Sequence, residues 1–265
     1  MQLIPVADPA DERVADFRDL TDADVRPDRR GVVIAEGSAV VDRLLRSSYP
    51  VRAILGVRDR VEGLARAWPD RAVPAFLVDK WLLSDIAGFR VTRGVLASAS
   101  RPPAPDCAAL LAASQRIVIL EALNDFENLG ALFRNAAAFG VDAVLLDPRC
   151  ADPLYRRSVR VSMGHVLRVP FGTLPGRWPD SLGTVRRAGF TVLAMTPRAG
   201  AVPIRRVAPG RRWALLLGAE GPGLSPAALA AADVAVRIPM ADGVDSLNVA
   251  TAAAVALAEL ASDDR

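Results

Sequence analysis

The sequence predicts an α/β protein with a mostly parallel sheet, and two observations lead to this prediction. Short apolar segments of strand length alternate with segments of helical periodicity, a pattern that indicates repeated strand–helix units. Residues 116–120 are in addition almost wholly apolar, as expected for a strand that is buried on both faces of a parallel sheet. At 265 residues, the chain is long enough for two domains of ordinary size.

The first half of the chain contains the elements of a small α/β domain. The interruption after the first apolar segment makes Ser38 a candidate cap for the helix that follows. The predicted strands are 32–35, 51–57, 73–78 and 94–97, and the predicted helices are 38–45 and 62–68.

A stretch rich in proline and serine, residues 98–105, separates the two halves. Because proline cannot donate to a strand ladder, this stretch predicts an interdomain linker. We therefore expect a first domain over 1–100, a linker over 101–112 and a second domain over 113–265.

The second half predicts the larger parallel sheet. Its helix at 128–139 is closed by Gly140, a residue that commonly ends helices. The predicted strands are 116–120, 141–146, 166–171, 190–195, 213–217 and 234–238, and the further predicted helices are 181–188, 226–232 and 246–260.

The composition excludes several classes of protein. The chain is 51% hydrophobic and 24% charged, which is typical of a folded protein. No apolar run is long enough to span a membrane, and the acidic N-terminus lacks the layout of a signal peptide, so we expect a cytoplasmic protein without membrane contact. Cys107, Cys150 and the single histidine, His165, do not form a metal-binding pattern, so no metal site and no histidine-dependent nucleophile are predicted.

The charge pattern is compatible with nucleic-acid binding but does not by itself predict it. The net charge is +3, and all of the 33 basic residues except Lys80 are arginines. Guanidinium groups suit phosphates and stack on bases, although a bias toward arginine can also reflect a GC-rich genome.

Three loops follow predicted strands of the second half, where open α/β sheets bind their ligands. The first, 124–130, leads into a helix on which Arg134 lies beside an apolar stripe. Asn128 is a candidate cap for this helix. Arg134 can serve a ligand, or it can pair with a neighbour on the helix or extend into water.

The second loop, 218–225, has three glycines within six residues, which allows the backbone to approach a ligand closely. Its spacing is neither that of a phosphate-binding loop nor that of a dinucleotide fingerprint, and a tight structural turn is an equal alternative. We expect Glu220, between these glycines, to accept hydrogen bonds from the backbone or from a ligand.

The third loop, 238–248, ends where the final helix is predicted to begin. Ser246 is a candidate cap for that helix, and a helix N-terminus is also a favourable place for an anion.

Taken in order, these loops resemble the three motifs of the SpoU/TrmH family of RNA ribose 2′-O-methyltransferases, within the SPOUT superfamily. The matching residues are Asn124, Asn128, Gly130, Arg134, Phe139 and Gly140, then Leu217-Gly218-Ala219-Glu220-Gly221-x-Gly223-Leu224, then Ile238-Pro239-Met240 and Ser246-Leu247-Asn248-Val249. The first domain is similar, more weakly, to the family's substrate-binding domain of ribosomal-protein (L30e-like) type. One departure is Asp242-Gly243, where the family often has glycine one position earlier.

The resemblance implies a fold, a cofactor and an activity. The fold would be a parallel-sheet SPOUT domain with a deep trefoil knot, in a homodimer with the active site at the interface. The cofactor would be S-adenosylmethionine, and the activity would be methylation of a ribose 2′-hydroxyl in structured RNA, with ribosomal RNA favoured by the separate first domain. Transfer RNA as the substrate and a non-catalytic RNA-binding paralogue are the alternatives. An ordinary nucleotide-binding α/β enzyme is disfavoured because the sequence lacks its loops.

The resemblance also assigns roles to individual residues. Arg134 would activate the 2′-hydroxyl, either as a base or, since guanidinium stays charged, as an electrostatic anchor. The other expected catalytic residues are Asn128, Glu220, Ser246 and Asn248, and the expected cofactor contacts are Thr196, Gly218, Ile238, Met240 and Leu247. Of the arginines between the first two motifs, Arg156, Arg157 and Arg160 are expected to contact RNA phosphates.

Overall fold

A computed structural model describes residues 1–21, 31–208 and 210–261, and it divides the chain into two compact units. The N-terminal unit comprises Met1–Pro103 and Asp152–Arg168, and the C-terminal unit comprises Ala104–Ala151 and Val169–Arg265. The segment 152–168, which the sequence had assigned to the second domain, therefore belongs to the first unit.

Nine of the described strands match predicted ones with changes at their ends, whereas Gln2–Pro5 and Val202–Pro203 were not predicted and Phe171–Thr173 replaces the strand predicted at 166–171. The strands are β1 (Gln2–Pro5), β2 (Val32–Glu36), β3 (Val51–Gly56), β4 (Pro74–Leu77), β5 (Val95–Ser100), β6 (Arg116–Glu121), β7 (Ala143–Leu146), β8 (Phe171–Thr173), β9 (Thr191–Met195), β10 (Val202–Pro203), β11 (Trp213–Gly218) and β12 (Val234–Arg237).

The helices include three that the sequence analysis missed, at 80–87, 107–113 and 156–161. Short 3-10 helices occur at Glu12–Phe17, His165–Leu167 and Ile204–Arg206. The α-helices are α1 (Ser38–Arg46), α2 (Arg58–Ala67), α3 (Lys80–Ala87), α4 (Cys107–Ala113), α5 (Phe126–Ala138), α6 (Arg156–Val161), α7 (Leu182–Arg187), α8 (Pro226–Ala231) and α9 (Val249–Ala261).

The N-terminal unit is built on a mixed sheet in the order β1-β4-β3-β5-β2. β4 pairs in parallel with β1 and β3, whereas β5 is antiparallel to β2 and β3. One core cluster packs Phe17, Leu20 and Leu83 against Ile34 and Leu55 of the sheet. This unit is thus a small α/β domain, as expected, but its sheet is not mostly parallel.

Segment 152–168 is held in the N-terminal unit by charged contacts. The Arg156 guanidinium donates to Oε2 of Glu36 over 2.9 Å, and both side chains are buried. Arg43 donates from Nη1 to the carbonyl oxygen of Met163 over 2.6 Å, and Arg101 is hydrogen-bonded to Asp152. These contacts join residues far apart in sequence, so local patterns could not predict them.

The C-terminal unit contains a seven-stranded sheet in the order β10-β12-β9-β11-β6-β7-β8, and every described pair in it is parallel. The predicted parallel sheet is therefore confirmed. The strand β6 lies centrally and is buried almost throughout, in agreement with its apolar sequence. Because the carboxyl ends of β6, β9, β11 and β12 lie at the same edge, the loops that follow them meet there.

Three sequence predictions about local structure are wrong. The strand predicted at 166–171 is instead a 3-10 turn over His165–Leu167 followed by β8, because Gly164 adopts a left-handed φ of 82°. The predicted linker contains α4, whose first turn is capped by Asp106 and which buries Cys107 and Leu111. Ser38 is the first residue of α1, not its cap, and no side chain caps that helix.

Candidate active site

A cavity of about 500 Å³ lies at the carboxyl edge of the parallel sheet in the C-terminal unit. This volume is within the range of pockets that bind small organic molecules. Three loops, those after β9, β11 and β12, bound it together with the start of α9. Its wall consists of Met195, Thr196, Pro197, Arg198, Leu217, Gly218, Ala219, Glu220, Gly221, Pro222, Gly223, Leu224, Leu229, Ile238, Met240, Ser246, Leu247, Asn248, Val249 and Ala252.

The cavity brings together all five residues expected to contact the cofactor. Thr196 follows β9, Gly218 ends β11, and Ile238 follows β12. Met240 and Leu247 lie in the third loop, between β12 and α9. The sequence placed these residues in separate segments, and the parallel order of the strands is what assembles them.

Glycine is required at position 218 because the main chain of Gly223 passes directly beside it. A Cβ atom at this position would lie only 2.3 Å from the carbonyl carbon of Gly223. The loop returns here because the amide of Gly223 donates to the carbonyl oxygen of Ala219 over 3.0 Å. Gly221 and Gly223 adopt left-handed φ values of 83° and 67°, which favour glycine. The glycines therefore form a tight turn whose backbone lines the cavity.

Asn248 connects the three motifs through its side-chain amide. Its Nδ2 donates to Oδ1 of Asn128 over 2.7 Å and to Oε1 of Glu220 over 2.6 Å. Its Oδ1 accepts from the backbone amides of Ala250 and Thr251, at 3.0 and 3.1 Å, and so caps α9. The cap fixes the orientation of the amide, so both N–H groups face the two acceptors.

Of the candidate caps, the two that belong to the site, Asn128 and Ser246, do not cap their helices. Asp125 caps α5 by accepting from the backbone amide of Asn128 over 2.7 Å, and this places Asn128 inside the first turn. Because Asn248 caps α9, Ser246 lies ahead of that helix and lines the cavity. Both residues are thus free of a capping role and remain part of the site.

Two of the five expected catalytic residues are not in the cavity wall. One is Asn128, which is joined to the wall by the hydrogen bond from Asn248. The other is Arg134. It is exposed on α5, about 9 Å along the helix axis from Asn128 by the rise of an α-helix. The neighbouring Asn135 donates from Nδ2 to the carbonyl oxygen of Ala250 over 2.7 Å, which holds α5 against α9. The backbone that carries Arg134 is therefore well anchored.

Arg198 is a cavity residue that the sequence analysis missed. It follows Thr196 in the loop after β9, and within the described wall it and Glu220 are the only charged residues. Its position after a strand of the parallel sheet was the available signal.

Glu121 was also missed, although it is the one acidic residue of an otherwise apolar strand. It is 2% exposed and accepts from Nε1 of Trp178 over 2.7 Å and from the amide of Ser225 over 2.8 Å. Ser225 ends the glycine-rich loop, so Glu121 anchors this loop to β6. Arg149 donates from Nη2 to Oε1 of Glu121 over 3.2 Å. Its hydrogen bonds to Asp147 raise the pKa of the Arg149 guanidinium above its ordinary value.

The expectation that Arg156 contacts RNA phosphates is wrong. Arg156 is 7% exposed, paired with Glu36, and its guanidinium lies 4.1 Å from the ring centre of Phe89. Arg157 and Arg160 are partly exposed on the same helix, α6, and Nη1 of Arg160 lies 4.0 Å from Oε2 of Glu36. All three arginines belong to the N-terminal unit and none lines the cavity.

Within residues 1–21, 31–208 and 210–261, no group of three or more His, Cys, Asp and Glu side chains could hold a metal ion. No helix in this part of the chain is both long and apolar enough to cross a membrane.

Comparison with known proteins gives consistent matches. The SpoU rRNA methylase family matches residues 115–258. A tRNA/rRNA methyltransferase of Mycobacterium tuberculosis is 47% identical over 260 residues, which cover 96% of this chain and 90% of that protein. The 23S rRNA (guanosine(2553)-2′-O)-methyltransferase of Bacillus subtilis is 25% identical over 244 residues, covering 92% and 94%. The AdoMet-bound rRNA methyltransferase from Sinorhizobium meliloti has a TM-score of 0.81 at 26% identity, over 99% of both chains.

Proposed function

Because this chain belongs to the SpoU methylase family, we propose that it methylates the 2′-hydroxyl of a ribose in ribosomal RNA. Membership of this family makes the chain an S-adenosylmethionine-dependent RNA methyltransferase. The ribose assignment is supported by one observation: Asn248, in the cavity wall, joins Glu220 of the second motif and Asn128 of the first motif by hydrogen bonds.

The cavity fits S-adenosylmethionine in size and in chemistry. Its volume of about 500 Å³ accommodates a molecule of this size, and the backbone of the glycine-rich turn offers donors and acceptors to an adenine edge. Ile238, Met240 and Leu247 supply apolar surface. Arg198 and Glu220 complement the carboxylate and the positive charges of a zwitterionic methionine chain. When bound, the cofactor supplies an activated methyl group on a sulfonium.

The chain's own residues then align the acceptor and balance its charge. Asn248 fixes the side chains of Asn128 and Glu220, which leaves a carboxylate oxygen and Ser246 at the wall to orient a ribose. Guanidinium groups do not act as bases in proteins, so the role of Arg134 is to hold an adjacent phosphate and stabilise the developing alkoxide. The proton of the 2′-hydroxyl leaves to solvent water as the methyl–oxygen bond forms and the methyl–sulfur bond breaks.

The position of Arg134 supports a homodimer. It is exposed and absent from the cavity wall of its own chain, as expected if the active site is completed at an interface between two copies. The alanine-rich helix α9, with Val255 exposed, has small side chains that suit close packing. The trefoil knot, a first domain that binds RNA and a cytoplasmic location are part of the same proposal.

The proposal is tested by methyl transfer with product analysis. The full chain is incubated with methyl-labelled S-adenosylmethionine and ribosomal RNA from cells that lack the gene, and the digested nucleosides are identified by mass spectrometry. We expect a labelled 2′-O-methyl nucleoside. A methylated base would contradict the ribose assignment, and transfer only to transfer RNA would contradict the choice of RNA. Cofactor binding without any transfer would identify a non-catalytic paralogue.

A further inference from the structure

Trp81 is an unusually exposed aromatic side chain in the N-terminal unit. It is 88% exposed, whereas the other exposed large hydrophobic residue described in this unit, Leu3, is 38% exposed. Its backbone is fixed at the start of α3, because Oδ1 of Asp79 accepts from the amides of Trp81 and Leu82, each over 2.8 Å. An indole held in water on a capped helix contributes no packing to its own unit, which points to an external partner.

The loop that carries Trp81 meets three other loops at one edge of the mixed sheet. The amide of Val78 donates to the carbonyl oxygen of Gly56 over 3.1 Å. The amide of Val57, after β3, donates to the carbonyl oxygen of Gly94, before β5, over 2.9 Å. The amide of Gly37, after β2, donates to the carbonyl oxygen of Val95 over 2.9 Å. Residues that directly follow β2, β3 and β4, and those that precede β5, therefore lie side by side.

This edge is basic, and we call the set Trp81, Lys80, Arg60, Arg93 and Arg160 the basic edge. Lys80, Arg60 and Arg93 are exposed. A Cβ atom built on Gly37 would lie 2.8 Å from Cδ of Arg93, and one built on Gly94 would lie 3.4 Å from Cγ of Arg60, so both side chains run along the edge.

The carboxylates close to the basic edge are mostly committed to other groups. Glu36 is buried against Arg156, Asp79 caps α3, and Glu62 pairs with Arg58 over 3.1 Å. Asp59 and Asp85, the latter one turn after Trp81 on α3, are exposed exceptions. Within the described ranges, no ion pair involves Lys80, Arg60 or Arg93, so their charges face solvent unneutralised.

We propose that the basic edge binds an unpaired segment of the substrate RNA, with one base stacked on Trp81 and neighbouring phosphates on Lys80, Arg60 and Arg93. An exposed aromatic beside cations is the arrangement that binds single-stranded nucleic acid, since every base has a π-face and phosphates attract the cations. A protein partner is disfavoured because, among the described residues of this unit, Leu3 is the only other exposed large hydrophobic residue. This inference rests on the proposed function in one respect only, namely that the bound RNA is the substrate of methylation.

The first test uses a stem–loop RNA with an unpaired loop, titrated into the full chain while binding and tryptophan emission are followed. We expect Trp81→Ala to weaken binding by about tenfold or more and to remove most of the quenching that the loop causes. Trp81→Tyr retains most of the affinity, since it keeps an aromatic face. Leu3→Ala, the matched exposed apolar residue, leaves the affinity unchanged.

The second test separates stacking from charge. The same stem–loop with abasic loop residues keeps its phosphates but offers no base, so it binds wild type and Trp81→Ala equally weakly. Lys80→Ala, Arg60→Ala and Arg93→Ala each lower affinity for both RNAs and reduce the salt slope by about one. Arg66 is an exposed arginine in the last turn of α2, and Arg66→Ala should change neither the affinity for RNA nor the salt slope.

The outcomes that overturn this inference differ from those that overturn the proposed function. Equal affinity of wild type and folded Trp81→Ala for the intact loop would exclude stacking. Conversion of a dimer to monomers by Trp81→Ala would show a protein interface instead. Failure of the proposed function would be seen in the wild type itself, as loop binding without a 2′-O-methyl product. Trp81→Ala should raise the KM for RNA, with the kcat and the affinity for S-adenosylmethionine unchanged.

Discussion

The side chain of Asn248 donates to Glu220 over 2.6 Å with the same amide whose oxygen caps the final helix. A second N–H of that amide donates to Asn128 over 2.7 Å. The start of α9 is therefore built together with the polar wall of the cavity, and a single residue links helix stability to the geometry of the site.

Substitution of Asn248 can separate its two roles. Asn248→Ser keeps an oxygen that caps α9 but removes the donors to Asn128 and Glu220, so we expect near-native stability and at least a tenfold loss of methyl transfer. Asn248→Ala should lose the same activity and about 1 kcal/mol of unfolding free energy in addition. Urea unfolding and transfer assays measure the two effects, and full activity of Asn248→Ser would show that the bridge is not needed.

Arg134→Ala should reduce methyl transfer by about 10²-fold or more, because the developing charge loses its cation. The affinity for S-adenosylmethionine should stay within twofold of wild type, because Arg134 is not in the cavity wall. Arg134→Lys should retain part of the activity if the role is electrostatic. Arg187→Ala, an exposed arginine on another helix of the same unit, serves as the control and should behave as wild type.

The buried Glu36–Arg156 pair makes a prediction about stability. Glu36→Ala removes the buried carboxylate that pairs with the Arg156 guanidinium, so we expect a loss of about 3–5 kcal/mol in the free energy of unfolding. Glu62→Ala breaks the exposed pair with Arg58 on α2 and should cost at most about 0.5 kcal/mol. Similar losses in the two variants, measured by urea denaturation, would mean that segment 152–168 is not held by this pair.

Cys150 should be unreactive in the folded protein. Burial raises the pKa of its thiol to about 12, and its Sγ donates to the carbonyl oxygen of Leu120 over 3.2 Å. Iodoacetamide at pH 8 should therefore label Cys150 only after unfolding. Since the folded pKa is raised, the thiol stabilises the fold below the unfolded pKa near 9 and loses this contribution as the pH rises toward 12. Rapid labelling of the native chain at Cys150 would contradict this.

The sequence could predict the elements of the parallel sheet because each strand is an apolar run, and β6 is the clearest example. It could predict the five cofactor contacts in the cavity because three of its loops resemble, in order and spacing, the motifs of the SpoU/TrmH family. It could not choose between neighbouring caps, since Asp125 and Asn128, or Ser246 and Asn248, carry equivalent oxygens two or three residues apart.

Long-range packing is the other part that the sequence could not supply. The sequence of segment 152–168 continues the pattern of the second domain, and only long-range contacts such as the pairing of Arg156 with Glu36 assign it to the first unit. The same pairing removed Arg156 from the expected RNA contacts, since burial of a charge depends on partners that local patterns do not specify.

Calorimetric titration of S-adenosylmethionine into the full chain tests the central claim most directly. Wild type should bind the cofactor, and Gly218→Ala should weaken binding by about tenfold or more, because its methyl group would meet the backbone of Gly223 at 2.3 Å and displace the loop. Gly200→Ala, where the added atom meets nothing within 4 Å, should bind as wild type does. Absence of binding to wild type, or equal affinity of Gly218→Ala, would contradict the account.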